Sequence, residues 1–158
     1  MPGLFVVRHC EPAVTGVLLG QCDPPLSEAG RAHAASLRLP KLAAIFSSPL
    51  RRARETAEAI ARGAPVQIID DLREISYGAW DGRAWREIEA EEIAARKMAD
   101  WRGVTPPGGE PWRDFESRVA RALERIRAGP RPAAIVAHAA VNRVIANIDQ
   151  DYGGIHEL

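Results

Sequence analysis

The sequence predicts a three-layer α/β/α sandwich built on a mostly parallel central sheet, and three observations predict it. Four short apolar runs, at residues 4–7, 43–46, 66–69 and 133–137, have the length of buried strands. Between them lie segments whose apolar residues recur every three or four positions, the alternation that parallel βαβ units require. Three of the four runs end in polar groups: Arg8-His9-Cys10 after the first, "SSPLRR" after the second and His138 after the fourth. Open α/β sheets bind their ligands beyond the carboxyl ends of the strands, so those groups share one edge of the expected fold.

Each element follows in order. Leu4 to Val7 is the first strand. Leu26 to Leu39 carries Ala29, Ala32, Ala35 and Leu37 at helical spacing. The second strand, Ala43 to Phe46, precedes a helix over Arg51 to Arg62 with Ala53, Ala57 and Ile60 on one face. Ser48 is its expected N-cap and Pro49 its first helical residue. Val66 to Ile69 is the third strand. Arg83 to Trp101 reads as one long charged helix with Ile88 and Ile93 turned inward. "TPPGGEP", Thr105 to Pro111, is too rich in Pro and Gly for an element interior and is expected as a loop facing the site. Glu110 to Ala128 places Phe115, Val119, Leu123 and Ile126 on one helical stripe, stopped by Gly129 and Pro130. Ala133 to Ala137 is the fourth strand and Val141 to Ile148 a last short helix, after which "QDYGGIHEL" reads as a tail.

At 158 residues the chain is expected to form a single domain over 1–158. A hydrophobic fraction of 46% supports a sizeable core, and 27% charged residues an ordinary wet surface. Lys+Arg and Asp+Glu are both 21, which removes the electrostatic case for nucleic acid or an anionic membrane as partner. No apolar run approaches a membrane span and no leader pattern precedes the first strand. Two cysteines, Cys10 and Cys22, are too few for a disulfide framework, so a reduced, cytoplasmic protein is expected, as monomer or homodimer. Among the basic residues only Lys41 and Lys97 are not arginine. Arginine's planar fork suits phosphate, although such a bias also follows from genome composition.

Which side chain reacts is decided by elimination. A cysteine-dependent phosphatase needs an arginine six positions after its thiolate, and the residue there is Gly16. A cysteine beside a strand is ordinarily a small buried hydrophobe. No Cys-x-x-Cys or His-Glu-x-x-His spacing offers a metal site, and no Gly-Lys-Ser/Thr loop offers a nucleotide site, so neither metal nor cofactor is expected. Histidine remains. One histidine at a strand end is more often a packed core residue, but Arg8 beside His9 and His138 on a matching strand end point to chemistry.

Four segments taken together, "VVRHCEP", "SSPLRRARETA", "LREISYGAWDG" and "AIVAHAAV", resemble the histidine phosphatase superfamily with its phosphoglycerate mutase-like fold. The resemblance runs from Leu4 to about Gly153. It implies His9 as nucleophile, Arg8, Arg52 and His138 around the transferring oxygens, and Glu74 as the acid that protonates the leaving alcohol. Physical chemistry suits each role. A neutral imidazole is nucleophilic near neutral pH, and a covalent intermediate splits one hard step into two. Guanidiniums stabilise the charge spread over the equatorial oxygens. A carboxyl beside an arriving dianion has a raised pKa, so Glu74 can be protonated when the substrate binds. Motif register selects Arg52 and leaves Arg51 and Arg54 on the surface; Glu74 has a competing role as partner of Arg73. His33 and His156 read as structural or exposed.

The loop "EPAVTGVLLGQCDPPLSEAG" is similar to that of alpha-ribazole phosphatase-like members of the superfamily. That match implies Gly20 and Gln21 as substrate neighbours and a hydroxyl from Thr15, with Ala139 beside the substrate. Trp80 or Trp85 is expected either to stack on the leaving group or to pack in the core. The pattern departs from the family at Cys10 and at Ala139-Ala140, where glycines are usual. If those turns need positive φ, each departure costs on the order of 1 kcal/mol. The region after His138 is also short for the family. The resemblance implies hydrolysis of a small phosphorylated metabolite through a phosphohistidine, with alpha-ribazole 5′-phosphate a candidate. Mutase-type phosphotransfer and a phospho-ligand-binding module without turnover stand as alternatives.

Overall fold

The computed structural model describes residues 2–158. Strands β1 (Leu4–Arg8), β2 (Ala44–Ser47), β3 (Val66–Ile68), β4 (Ala133–Ala137) and β5 (Ile155–Glu157) form one sheet in the order β3-β2-β4-β1-β5. All pairs are parallel except β1 with β5. Helices α1 (Glu28–Ser36) and α2 (Arg51–Ala61) precede β3; α3 (Trp85–Ile88), α4 (Glu92–Ala99) and α5 (Trp112–Arg127) precede β4; α6 (Ala139–Ala146) follows it.

Alternation along the buried strands makes the layers. Ala133, Ile135 and Ala137 of β4 join Leu4, Ala44 and Phe46 beneath Phe115, Val119 and Ile126 of α5. Ala134 and Val136 join Val7 and Ile45 beneath Ala53, Ala57 and Ile60 of α2. The central strands are covered on both faces, as parallel strands must be. The expected α/β/α sandwich with a mostly parallel sheet is therefore the observed one.

Register decides what the sheet presents at its edge. Leu4 pairs with Ala133 and Arg8 with Ala137, so the residues after β1 and β4 emerge side by side. The His9 N–H donates to the Ala137 carbonyl at 3.0 Å and the Ser48 N–H to that of Val136 at 3.1 Å. His9, Ser48 and His138 thus leave three neighbouring strands at one level.

Several elements differ from expectation for identifiable reasons. Helix α1 buries Gly30 and Ala34, not the stripe of Ala29, Ala32 and Ala35. A Cβ at Gly30 would stand 2.1 Å from the Glu11 carbonyl oxygen, so close backbone approach selects this face. Ser48 does not cap α2, because its hydroxyl is taken by Leu50 N–H and His138. The cap arrives from outside instead, where Asp23 Oδ1 accepts the Arg51 N–H at 2.6 Å. The long helix expected over Arg83 to Trp101 is two helices. Glu91 between them is extended (φ −71°, ψ 138°), and its carboxylate ties back to Trp80 Nε1 at 3.1 Å and Arg83 at 3.4 Å. The tail is not a tail: residues 155–157 form the antiparallel edge strand β5.

Candidate active site

His9 is 4% exposed. Its Nδ1–H donates to the Cys10 carbonyl at 2.7 Å, which leaves the lone pair on Nε2. Burial pushes its pKa down to about 3, against the pull of that carbonyl and with help from the Arg52 and Arg8 charges. The ring is neutral. Its centroid lies 5.2 Å from that of His138 and 5.7 Å from that of Tyr152. His138 is fully buried, with Nε2 2.8 Å from Ser48 Oγ. Ser48 Oγ also accepts the Leu50 N–H at 3.2 Å. Nδ1 of His138 is buried and has no partner among the described residues. Burial, with His9 and three arginines adding to it, lowers the pKa of His138 well below the ordinary value, so this ring too is neutral.

Two guanidiniums flank the histidines. Arg52 is buried, and the carbonyls of Cys22 and Gly20 each accept from it at 2.7 Å, with Leu19 at 3.4 Å. Arg8 Nη1 donates to the Gln150 carbonyl at 2.7 Å, and its Cζ sits 4.4 Å from the centre of the Tyr152 ring. The Nε–H of both arginines is buried without a partner among the described residues. These are preformed donors awaiting an anion.

Glu74 is 5% exposed. Its Oε1 accepts the Ile75 N–H at 3.0 Å, and its Oε2 accepts the Ala140 N–H at 3.2 Å. Burial raises its pKa despite these bonds and despite Arg52 and Arg118. Arg118 holds the segment from behind. Its guanidinium donates to the carbonyls of Asp71, Arg73 and Glu74, and forms a two-pronged pair with Glu110 at 2.8 Å. The "TPPGGEP" loop thereby braces the Glu74 segment from behind and does not line the site.

Two connected hollows complete the geometry. A cavity of about 170 Å³ is lined by Arg8, His9, Arg52, Glu74 and Tyr152, with Val17 to Leu19 as its apolar side. A wider cleft of about 360 Å³ is lined by Tyr77, Trp101, Arg102, Trp112, Ala140 and Arg143. Glu74, Tyr77 and Ala139 belong to both. The carboxyl therefore stands on the seam between a small cationic cup and a larger aromatic cleft.

The structure brings together His9, Arg8, Arg52, Glu74, His138 and Ala139, and places Thr15, Gly20 and Gln21 off the cavity wall. Thr15 is exposed. Asp81 accepts the N–H groups of Gly20 and Gln21, at 2.9 and 2.7 Å, and Gly20 offers its carbonyl to Arg52. Gln21 Nε2 donates to the Glu74 carbonyl at 3.5 Å. Gly20 is required for approach, since a Cβ there would lie 2.5 Å from the Ile75 carbonyl oxygen. Trp80 is buried beside Ile88 and Ala94, with Trp85 edge-on to it, so both are core. Arg73 pairs with Asp70, leaving Glu74 to the site. Arg51 and Arg54 are exposed, as expected. The departures from glycine carry no backbone strain. Among the described residues only Arg62 and Asn147 have positive φ outside glycine, and the Cys10 N–H donates to Thr56 Oγ1 at 3.0 Å.

Sequence reasoning missed Tyr77, Tyr152, Trp101 and Trp112 on the walls, and Ser48 as partner of His138. Ser48 sits inside the quoted "SSPLRR" motif, where its spacing from Arg52 was the available signal. No group of three or more His, Cys, Asp or Glu is arranged to hold a metal ion among the described residues. Nor is any helix among them long and apolar enough to cross a membrane.

A cup lined by a neutral histidine, two arginines and a buried carboxyl, with a second histidine buried beside it, has the chemistry to handle phosphate. The chain belongs to the histidine phosphatase superfamily (branch 1), whose profile matches residues 4–151. It is 33% identical over 135 residues to an adenosylcobalamin/alpha-ribazole phosphatase of Salmonella typhimurium, covering 79% of this chain and 67% of that protein. It is 34% identical over 144 residues to a bifunctional protein of Mycobacterium tuberculosis, covering 85% of this chain but only 40% of the relative's length. The crystal structure of the alpha-ribazole phosphatase from Shigella flexneri matches with a TM-score of 0.85 at 26% identity, over 96% of this chain and 87% of that one.

Proposed function

We propose that this protein is a phosphomonoesterase that carries the phosphoryl group on Nε2 of His9 between an alcohol and water. The observation that carries the reading is the pairing of a histidine whose Nδ1–H is tied to the Cys10 carbonyl with a carboxyl on the seam of two hollows. The phosphoryl group occupies the small cup, its equatorial oxygens facing Arg8, Arg52 and the unpartnered Nδ1 of His138. Nε2 of His9 attacks phosphorus and the bond to the alcohol oxygen breaks. Glu74, kept protonated by burial, gives its proton to that oxygen, and the alcohol lies in the wider cleft. The carboxylate so formed takes a proton from water as water attacks the phosphohistidine. Inorganic phosphate leaves, His9 returns to its neutral state and Glu74 is again protonated.

Hydrolysis, not transfer to a second alcohol, is the reading because the cleft beside Glu74 has an exposed rim at Arg102 and Arg143, open to water. The names of the relatives make alpha-ribazole 5′-phosphate one ester to assay. The decisive experiment is rapid mixing with a radiolabelled aryl phosphate followed by alkaline quench. Acid-labile, base-stable label on the protein that disappears in His9→Ala, together with phenol release, supports the reading. Turnover of the same ester by His9→Ala at the parent rate overturns it.

A further inference from the structure

The wider cleft holds a charge that the chemistry above leaves unused. Among the described residues Arg102 has no hydrogen-bond or ion-pair partner; its guanidinium carbon lies 5.1 Å from the centre of the Trp112 ring and nothing else engages it. The other cation of the cleft is already answered, since Arg143 pairs with Asp149. The cleft's own carboxyl, Glu74, is engaged by the backbone N–H groups of Ile75 and Ala140, not by Arg102.

The position of Arg102 is built. It sits on the turn after α4, and that turn is pinned by Lys97, which is 2% exposed. Lys97 Nζ donates to the carbonyls of Trp101 and Val104 and lies 4.6 Å from the centre of the Trp101 ring. Asp100 Oδ1 accepts the Gly103 N–H at 3.0 Å. Trp112, on which the guanidinium rests, is fixed by its own Nε1–H to Glu116 at 2.7 Å and by the Phe115 edge. Stacking on a ring face holds a guanidinium in place while leaving its in-plane N–H groups unspent. An arginine held this way at a cleft wall is a ready receptor for an anion.

Resting on the phosphatase reading, we propose that the cleft selects phosphate esters whose leaving alcohol carries a second anionic group, a carboxylate or a further phosphate, and that Arg102 receives it. Trp101 and Trp112 wall the connecting carbon frame while the ester oxygen meets Glu74. A neutral alcohol fills the same space and leaves Arg102 unanswered.

The test is read by binding, so that it stands whether or not the protein turns over. Titration calorimetry on the His9→Ala variant compares phenyl phosphate, 4-carboxyphenyl phosphate and 1,4-phenylene bisphosphate. The doubly anionic probes are expected to bind about tenfold more tightly than phenyl phosphate. Adding Arg102→Gln is expected to bring the ratio near one, and raising the salt to compress it. Arg102 is exposed, so the variant is expected to fold, which circular dichroism checks. A preference confined to one probe identifies which anion the cleft takes. A ratio near one in His9→Ala, a ratio that survives Arg102→Gln, or no detectable binding of the doubly anionic probes overturns the proposal. Failure of the phosphatase reading shows separately, as the absence of phenol release by the parent protein.

Discussion

The hydroxyl of Ser48 and Nε2 of His138 are 2.8 Å apart, and this bond ties the buried ring to the neighbouring strand end. Leu50 N–H holds the same hydroxyl in place. In Ser48→Ala neither the orientation nor the tautomer of the ring is held any longer. On the mechanism proposed, kcat falls about tenfold, the effect of weakening one charge-assisted donor. Nitrogen NMR of the imidazole, showing a tautomer balance that differs between variant and parent, checks the cause. An unchanged tautomer with reduced kcat refutes it.

Glu74→Gln keeps the shape of the carboxyl but has no proton to give. Esters of alkyl alcohols, which leave poorly, are expected to lose about 10²- to 10⁴-fold in kcat, whereas p-nitrophenyl phosphate, whose leaving group needs no proton, loses far less. In the parent, activity toward alkyl esters declines as pH rises through the raised pKa of Glu74, because the acid form disappears. That basic limb is expected to be absent in the variant. Equal losses for both kinds of ester would remove Glu74 from the acid role.

Burial of the two histidines makes stability depend on pH. His9 titrates near 6.5 when unfolded and at about 3 when folded, so between those values the unfolded chain binds more protons. Folding is therefore weakened as pH falls below 6.5, and His138 acts in the same direction. His9→Asn, which cannot titrate, is expected to gain about 2 kcal/mol on the parent between pH 8 and pH 5. Urea unfolding at the two pH values measures it. Glu74 works in the opposite sense: its raised pKa stabilises the fold below its unfolded value of 4.5, and that contribution is lost as pH rises through the folded one. Glu74→Gln is accordingly expected to gain on the parent as pH increases.

Arg118 spends every N–H it has on the segment that carries Glu74 and on Glu110. Its side chain is 12% exposed and that of Glu110 is 17%. Arg118→Met takes the guanidinium from the Asp71 and Arg73 carbonyls, and leaves the Glu74 carbonyl with Gln21 and Glu110 with the Ser76 N–H. It is expected to destabilise the protein by about 2–4 kcal/mol. As a positioning residue it also acts on Glu74: the basic limb of the alkyl-ester pH profile shifts, while Arg118→Lys restores part of the fold but not the limb. A loss of stability with an unmoved profile would make its role structural only.

The parts of this fold legible in the sequence were those governed by local pattern. β4 is bounded at Ala133 and Ala137 as its apolar run indicates, and Phe115, Val119 and Ile126 of α5 are buried where their spacing puts them, with Leu123 half-buried and Ala122 inside in its place. Arg8, His9 and His138 were legible because they sit at strand ends, and Arg52 and Glu74 because of the motifs that contain them. What escaped was decided at long range. β5 is three exposed residues with no alternation to betray them, paired only because β1 lies beside them. The inner face of α1 is chosen by the Glu11 backbone, not by its own alanines. The break at Glu91 follows from a tryptophan eleven positions back that claims its carboxylate. Tyr152 reaches Arg8 and His9 across nearly the whole chain, and no spacing rule spans that distance.

That last distance has a consequence for the order of events during synthesis. Arg8 and Gln150, joined by one hydrogen bond, are 142 positions apart, and the Gly153 N–H reaches the carbonyls of Arg8 and His9. A ribosome adding residues at about 5–20 per second delivers the second partner roughly 7–30 seconds after the first. Throughout that interval the cup around His9 lacks the wall that Tyr152 supplies. On the function proposed, the nascent chain turns over no ester until that segment has joined β1.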